Sequence, residues 1–292
     1  AAPLDEQAAL ELAGAWLAEE ERTVWEGGRL RTERLRRLGA ITLTTTPGPP
    51  PGPTAVAEAV VARVRAEGAD AGLGVLPWDE EALGLRARLA LLHEHLGEPW
   101  PDMSDAALAE RAEEWLAPAG QAAGSSGTGR SGESASGSGS RRFSLERLDV
   151  AQALRTLLPW PQAARLDELV PERIEVPSGS QVRVDYTAEV GGAAGSAGSA
   201  EAGRAGRPVL AVRVQECFGW AATPRIVEGR VPVLLHLLSP ARRPVAVTDD
   251  LSSFWEQGYP QVRAEMRGRY PKHAWPEDPW NAPATRGTGR RR

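Results

Sequence analysis

The spacing of apolar residues changes character twice along the chain, from alternating to helical and back. Residues 22–45 carry half-apolar runs on either side of Gly27-Gly28, followed by the threonine-rich ITLTTT. Paired glycines between such runs signal a hairpin turn, and β-branched residues suit a pleated surface, so this segment reads as strands. PGPPPGP (47–53) ends it. Its prolines fix φ and lack N–H donors, which leaves a stiff linker. Helical spacing then takes over. Val56, Val60 and Val64 recur four apart behind Thr54, an N-cap candidate, and Gly68 is placed to close the helix. Asp79 is set to cap a second helix, with Leu85, Leu89, Leu92 and Leu96 on one side and Gly97 after it. Ser104 is set to cap a third, with Leu108, Ala112 and Trp115 inward and Pro118 beyond its end.

AGQAAGSSGTGRSGESASGSGS (119–140) offers no apolar side chain larger than alanine, too little to offset the entropy of ordering, and reads as a flexible linker. A fourth helix is expected from Ser144 to about Leu158, stopped by Pro159, and a fifth from Pro161. The period then drops to two. ERIEV, PSGS and QVRVDY form a hairpin pattern, with Ile174 and Val176 on the side of Val182, Val184 and Tyr186. A second low-complexity piece (191–206) precedes PVLAVRV. More strand patterns follow in PRIV and RVPVLLHLL around an EG turn, and in VAV after SPARRP. Short turns between strands predict antiparallel hairpins. Thr248 is placed to cap a helix through Trp255, and a short helix is expected from Pro260 to Met266.

The 292 residues suit about two domains. A hydrophobic content of 41% is enough for a core. No apolar run approaches the roughly 18 residues of a membrane span, so no membrane partner is expected. The opening AAPLDEQAAL lacks the basic and apolar regions of a secretory signal, and it lacks methionine; the start is expected to be cut from something longer, or processed. Cys217 is the single cysteine, which suits a reducing cytoplasm. The net charge of −5 hides an asymmetry. Residues 1–150 hold 15 basic and 24 acidic groups (−9), and residues 151–292 hold 19 and 15 (+4), so a polyanion would meet the C-terminal half more readily.

Several chemistries are excluded by the residues themselves. A Walker A loop needs a lysine on the β/γ-phosphates, and the single lysine is Lys272 in PKHA. His93 and His95 stand about 200° apart around a helix and cannot share an ion there. His236, in an apolar strand, reads as a core histidine and Cys217 as a small buried hydrophobe. No Gly-x-Ser-x-Gly elbow appears.

What remains is RYPKHAWPEDPW (269–280) and the helix before it. Arg263 and Arg267 lie i,i+4 on one helical face; Arg269, Lys272 and His273 continue the positive line, with Tyr270 and Trp275 interleaved. Basic groups neutralise phosphates and aromatics stack on unpaired bases. The plainer alternative is that Tyr270 and Trp275 pin the tail to a core and the arginines form a solvated rim.

LAVRVQE-FG, TPRI, GRVPVLLHLLSP, RPVAVTDDL, FW and RGRYPKHAWPEDP, in this order and nearly without gaps, resemble the C-terminal domain of HrpB-type bacterial ATP-dependent RNA helicases of the DEAH/DExH class. The resemblance extends upstream through LPWDEEALGLRARL, WPDMSD, EEWLAP, RLDELVP and VPSGSQVRVDY. TERLRRLGAITL resembles the family's segment after its ratchet-like helical domain. Cys217 and Trp220 depart from the family pattern but keep the site apolar.

The resemblance implies an α+β chain. Residues 1–53 would be the end of an oligonucleotide-binding-type partial β-barrel with its proline-rich linker. A helical region (54–118) and a flexible linker (119–142) would follow. Next would come a C-terminal α+β module of antiparallel hairpins (143–280, with a flexible insertion at 191–206) and a disordered basic tail (281–292). It implies ATP and Mg²⁺ for a parent helicase, with no cofactor held by this chain. It also implies RNA or other single-stranded nucleic acid and the parent's own motor domains as partners. No catalytic residue is expected here. The competing reading is a stand-alone protein-interaction module whose Pro/Trp-rich segment docks a partner.

Overall fold

A computed structural model describes residues 16–125, 142–188 and 206–288. The chain divides into two compact units, one of residues 1–82 with 105–157, the other of residues 83–104 with 158–292.

In the first unit, β1 (Leu17–Glu26), β2 (Arg29–Leu38) and β3 (Ile41–Pro47) form an antiparallel meander, and β4 (Phe143–Ser144) pairs with β2. Gly27 and Gly28 both take positive φ (55° and 76°), the geometry of the tight turn their pairing predicted. Charges of β1 and β2 pair across the ladder, where Arg22–Glu33, Arg34–Glu21 and Arg37–Glu20 stand at 2.9, 3.0 and 3.2 Å. Trp25 donates its indole N–H to the Ala59 carbonyl (3.3 Å) and carries the Arg63 guanidinium on its ring, which docks the sheet on the next helix. The sheet is open: among the described residues no barrel closes.

That helix, α1 (Pro53–Ala66), starts two residues earlier than expected from a Thr54 cap. Gly52 is its cap, because Pro53 has no N–H to lose and fits the first turn. Val56, Val60 and Val64 are fully buried, and Gly68 follows at φ 81°. After α2 (Ala69–Gly74), α3 (Glu80–Leu96) is capped by Asp79, whose Oδ1 accepts from Ala82 N at 2.7 Å.

Two short helices, α4 (Asp105–Glu110) and α5 (Ala112–Ser125), replace the single third helix expected. The buried Trp115 ties them by donating to the Leu108 carbonyl at 3.0 Å. The expected stop at Pro118 and linker from 119 are overturned through Ser125, with Pro118 inside α5. A proline costs a helix one hydrogen bond, but tertiary packing decides helical stability more than propensity does. Here Gly120 and Gly124 lie so close to α1 that a Cβ on either would meet the Ala57 or Pro53 Cα at 2.8 Å. The remaining linker, 126–141, lies outside the described residues. The expected helix from Ser144 is also shorter. Phe143 pairs with Leu30, a 3₁₀ turn covers Leu145–Arg147, and α6 (Val150–Arg155) starts at Asp149, whose carboxylate accepts from Gln152 N.

In the second unit α7 (Trp160–Leu169) carries Pro161 in its first turn, as expected. A five-stranded sheet has the order β11-β10-β7-β6-β5, from β5 (Arg173–Glu175), β6 (Gln181–Asp185), β7 (Val209–Arg213), β10 (Leu234–Leu238) and β11 (Pro244–Thr248). β8 (Arg225–Ile226) and β9 (Val231–Pro232) make a separate small hairpin. The β5–β6 and β10–β11 pairs are antiparallel, but β10 runs parallel to β7, against the expectation of antiparallel hairpins throughout. The intervening residues 214–233 are too long for a hairpin loop and return the chain to the start of the sheet before β10 begins. Val184, Leu210, Val212, Leu235 and Leu237 fill the buried face.

From α3, buried Arg88 donates to the Val170 carbonyl (2.7 Å) and pairs with Asp167 and Glu172, pinning the end of α7. Tyr186 OH donates to the Pro171 carbonyl at 2.7 Å. Asp250, rather than Thr248, caps the next helical stretch by accepting from Ser253 N. That stretch is α8 (Leu251–Ser253), a π-helical turn (Phe254–Gly258) and α9 (Tyr259–Arg269). No helix among the described residues is long and apolar enough to cross a membrane. The flexible insertion expected at 191–206 lies outside the described residues apart from Gly206. The tail expected to be disordered from 281 is anchored as far as it is described: Thr285 N donates to the Gln215 carbonyl and Arg286 Nε to that of Ser178, both at 2.9 Å.

Candidate nucleic-acid interface

The segment after α9 is held by polar contacts from side chains the sequence marks as aromatic or basic. Trp275 is 7% exposed, and its indole N–H donates to the Tyr270 carbonyl at 3.0 Å. Tyr259, fully buried among Phe218, Phe254 and Trp255, sends its hydroxyl to the Pro276 carbonyl at 3.0 Å. Burial pushes that phenol's pKa up, so it stays a donor. Gly219 N donates to the Pro279 carbonyl at 2.9 Å. Asp278 accepts from Trp280 N and Asn281 N, closing a local turn. A chain with prolines at 271, 276 and 279 has few N–H groups to offer, so its carbonyls carry the anchoring.

The structure separates the candidate residues. Arg263 is no member of an exposed row. Its Nε donates to the Trp275 carbonyl and its Nη2 pairs with Glu277, both at 2.9 Å. The i,i+4 spacing put Arg263 beside Arg267, but the returning tail covers it. His273 sits half-buried with its ring edge-on to Tyr270, 6.1 Å between centroids. Burial, and then the charge of Arg213, lower its pKa, so it is neutral at neutral pH rather than part of the positive line. Tyr270 is half-buried.

Arg267, Arg269 and Lys272 are exposed. Arg269 pairs weakly with Glu265 at 3.4 Å, whereas Arg267 and Lys272 make no ion pair among the described residues. Three cations are thereby mounted on a short frame fixed by Trp275, Tyr259 and Arg263. Sequence spacing missed Tyr259 and Gly219 as anchors, because both act through backbone carbonyls of a segment with no periodicity.

Residues 135–279 match the family model described as ATP-dependent helicase C-terminal. The chain is 38% identical over 262 residues to the ATP-dependent RNA helicase HrpB of Escherichia coli (strain K12); the alignment takes in 89% of this chain and 28% of that protein. The crystal structure of the E. coli DExH-box NTPase HrpB superposes with a TM-score of 0.64 at 36% identity, covering 97% of this chain and 31% of that one. A second crystal structure, of the Escherichia coli DEAH/RHA helicase HrpB, gives 0.56 at 34% identity, over 89% and 29%. The chain thus spans less than a third of the relatives it matches. With sequence motifs, domain match and fold in agreement, the chain belongs to the HrpB-type helicase family and corresponds to its C-terminal region.

Proposed function

We propose that this chain is the accessory region of an ATP-dependent RNA helicase, contributing contacts to nucleic acid and packing against the parent's motor domains. Arg267, Arg269 and Lys272 serve as phosphate contacts, with Tyr270 beside them for an unpaired base. The observation that carries this reading is the pre-ordered frame: three exposed cations sit on a segment anchored by the side chains of Trp275, Tyr259 and Arg263. Pre-ordering spares the entropy that a floppy basic tail would lose on binding. The burial of Trp275 speaks against docking through that ring, the competing reading. On this reading the open meander β1–β3 is part of an oligonucleotide-binding-type barrel, and the protein works in the cytoplasm. ATP and Mg²⁺ belong to the motor, since no Walker A lysine exists here. The chain by itself is therefore expected to release no phosphate from ATP, with or without RNA.

The test is binding of single-stranded RNA to wild type and to the Arg267→Ala/Arg269→Ala/Lys272→Ala variant over a salt series. Affinity should fall alike for all RNA sequences, and the salt slope should shrink by up to ~0.7 per lost contact. Unchanged affinity and slope would make this edge a solvated rim.

A further inference from the structure

The topology of the five-stranded sheet gathers a second set of arginines that no motif in the sequence groups. β7 and β10 are parallel and end together, with Leu238 beside Arg213. The turn from β10 to β11, residues 239–243, therefore leaves from the same sheet end. β6 runs antiparallel to β7, with Val184 beside Leu210 and Asp185 beside Val209, so the β5–β6 turn at 177–180 stands at that end too. Arg286 joins it by donating from Nε to the Ser178 carbonyl at 2.9 Å.

These groups are not equivalent. Arg213 is committed to buried Glu216 at 2.7 Å, and Glu175 accepts from Gln181 at 3.0 Å. Arg242, Arg243 and Arg286 are exposed and make no ion pair among the described residues. The turn that carries two of them is built. Ser239, 2% exposed, donates its N–H to the Arg243 carbonyl (2.8 Å) and accepts from Arg243 N at Oγ (3.1 Å), while Arg242 N donates to the Ser239 carbonyl (2.8 Å). Arg242 has φ 60°, a region where glycine or asparagine would be at ease and arginine is not. Holding an arginine there aims an unpaired guanidinium from a rigid turn.

We propose that Arg242, Arg243 and Arg286 form a second phosphate-binding surface for the RNA backbone at the strand ends of this sheet. The occupant follows from charge: three exposed guanidinium groups in no ion pair among the described residues, against the one exposed carboxylate of Glu175, suited to bidentate contact with phosphate. The inference rests on the RNA-contacting reading above and extends its path across the sheet end.

The experiment is fluorescence anisotropy of the 292-residue chain with labelled oligo-U and oligo-A 20-mers across a potassium chloride series. Arg242→Asn/Arg243→Gln/Arg286→Gln removes the charge while asparagine tolerates the turn. It should weaken both RNAs equally and lower the salt slope by about 2, at ~0.7 per contact. The all-lysine version should keep most of the slope, which a merely structural role would not predict. Arg286→Gln alone, outside the turn, should give about a third of the effect even if the turn variant folds poorly. An unchanged slope in the charge-removing variant and in Arg286→Gln, beside a reduced one for the Arg267/Arg269/Lys272 variant, overturns this surface and leaves the tail edge standing. No RNA binding by wild type removes both readings. Displacement of RNA by polyglutamate of equal charge at equal concentration would overturn the RNA assignment in favour of an acidic protein partner.

Discussion

Arg263 holds the carbonyl of Trp275 through its Nε at 2.9 Å, and that contact turns a residue placed by helical spacing among RNA-facing cations into a clamp on the returning tail. Arg263→Ala should therefore cost stability, about 1–3 kcal/mol for hydrogen bonds from a charged donor, measured by urea unfolding. RNA salt slope, read by anisotropy under folded conditions, should stay at the wild-type value. Trp275→Ala should cost more, on the order of 3 kcal/mol, because it empties a buried site as well as losing a donor.

Gly120 distinguishes a helix from a linker by the sign of one substitution. In a linker Gly→Ala is neutral or stabilising, because it restricts the unfolded chain. In α5 the added Cβ would meet the Ala57 Cα at 2.8 Å, which the two packed backbones must absorb. Gly120→Ala should lower stability by about 1–3 kcal/mol despite alanine's better helix propensity. A rise in melting temperature would show that 119–125 does not pack.

Arg88 is buried, while its partners Asp167 and Glu172 are largely exposed. Losing it would leave two carboxylates that water can reach, so the cost comes mainly from the Val170 carbonyl left without a donor. Arg88→Met, similar in length, should destabilise by about 2 kcal/mol. Asp167→Asn should do much less.

Glu216 gives the pH dependence. Burial alone would raise its pKa, but hydrogen bonds from Ser180, Arg213 and Ser178, with the charge of Arg213, outweigh it and hold the carboxyl below its ordinary 4.5. A carboxyl depressed in the folded state adds stability above its unfolded pKa, and that stability is lost as pH falls through the folded value. Wild type should thus lose melting temperature below about pH 4.5, and Glu216→Gln should flatten that limb while being less stable at pH 7. Parallel curves for the two proteins would remove Glu216 from the account.

Local patterns made much of the fold legible. Valines four apart marked α1, Gly27-Gly28 the first hairpin, Asp79 a cap, and alternation the β5–β6 pair. Each is written within a few residues. Non-local features were not legible. Pro118 stays helical because two glycines further on fit against α1, a fact that belongs to the partner helix. The parallel pairing of β7 and β10 depends on where residues 214–233 return. At the candidate site, the sequence showed which residue types were present but not which were already spent. Arg263 and Trp275 anchor, His273 is neutral, and Arg242 and Arg243 lie on a turn with no aromatic neighbour in sequence to draw notice.

The two compact units are threaded through one another along the chain: residues 83–104 belong with 158–292, and 105–157 with 1–82. Synthesis from the N-terminus therefore delivers Arg88 well before Val170, Asp167 and Glu172 exist to receive it. The nascent chain must carry Arg88 without these partners until the end of α7 and Glu172 have emerged. A stop anywhere between 105 and 157 would leave both units incomplete.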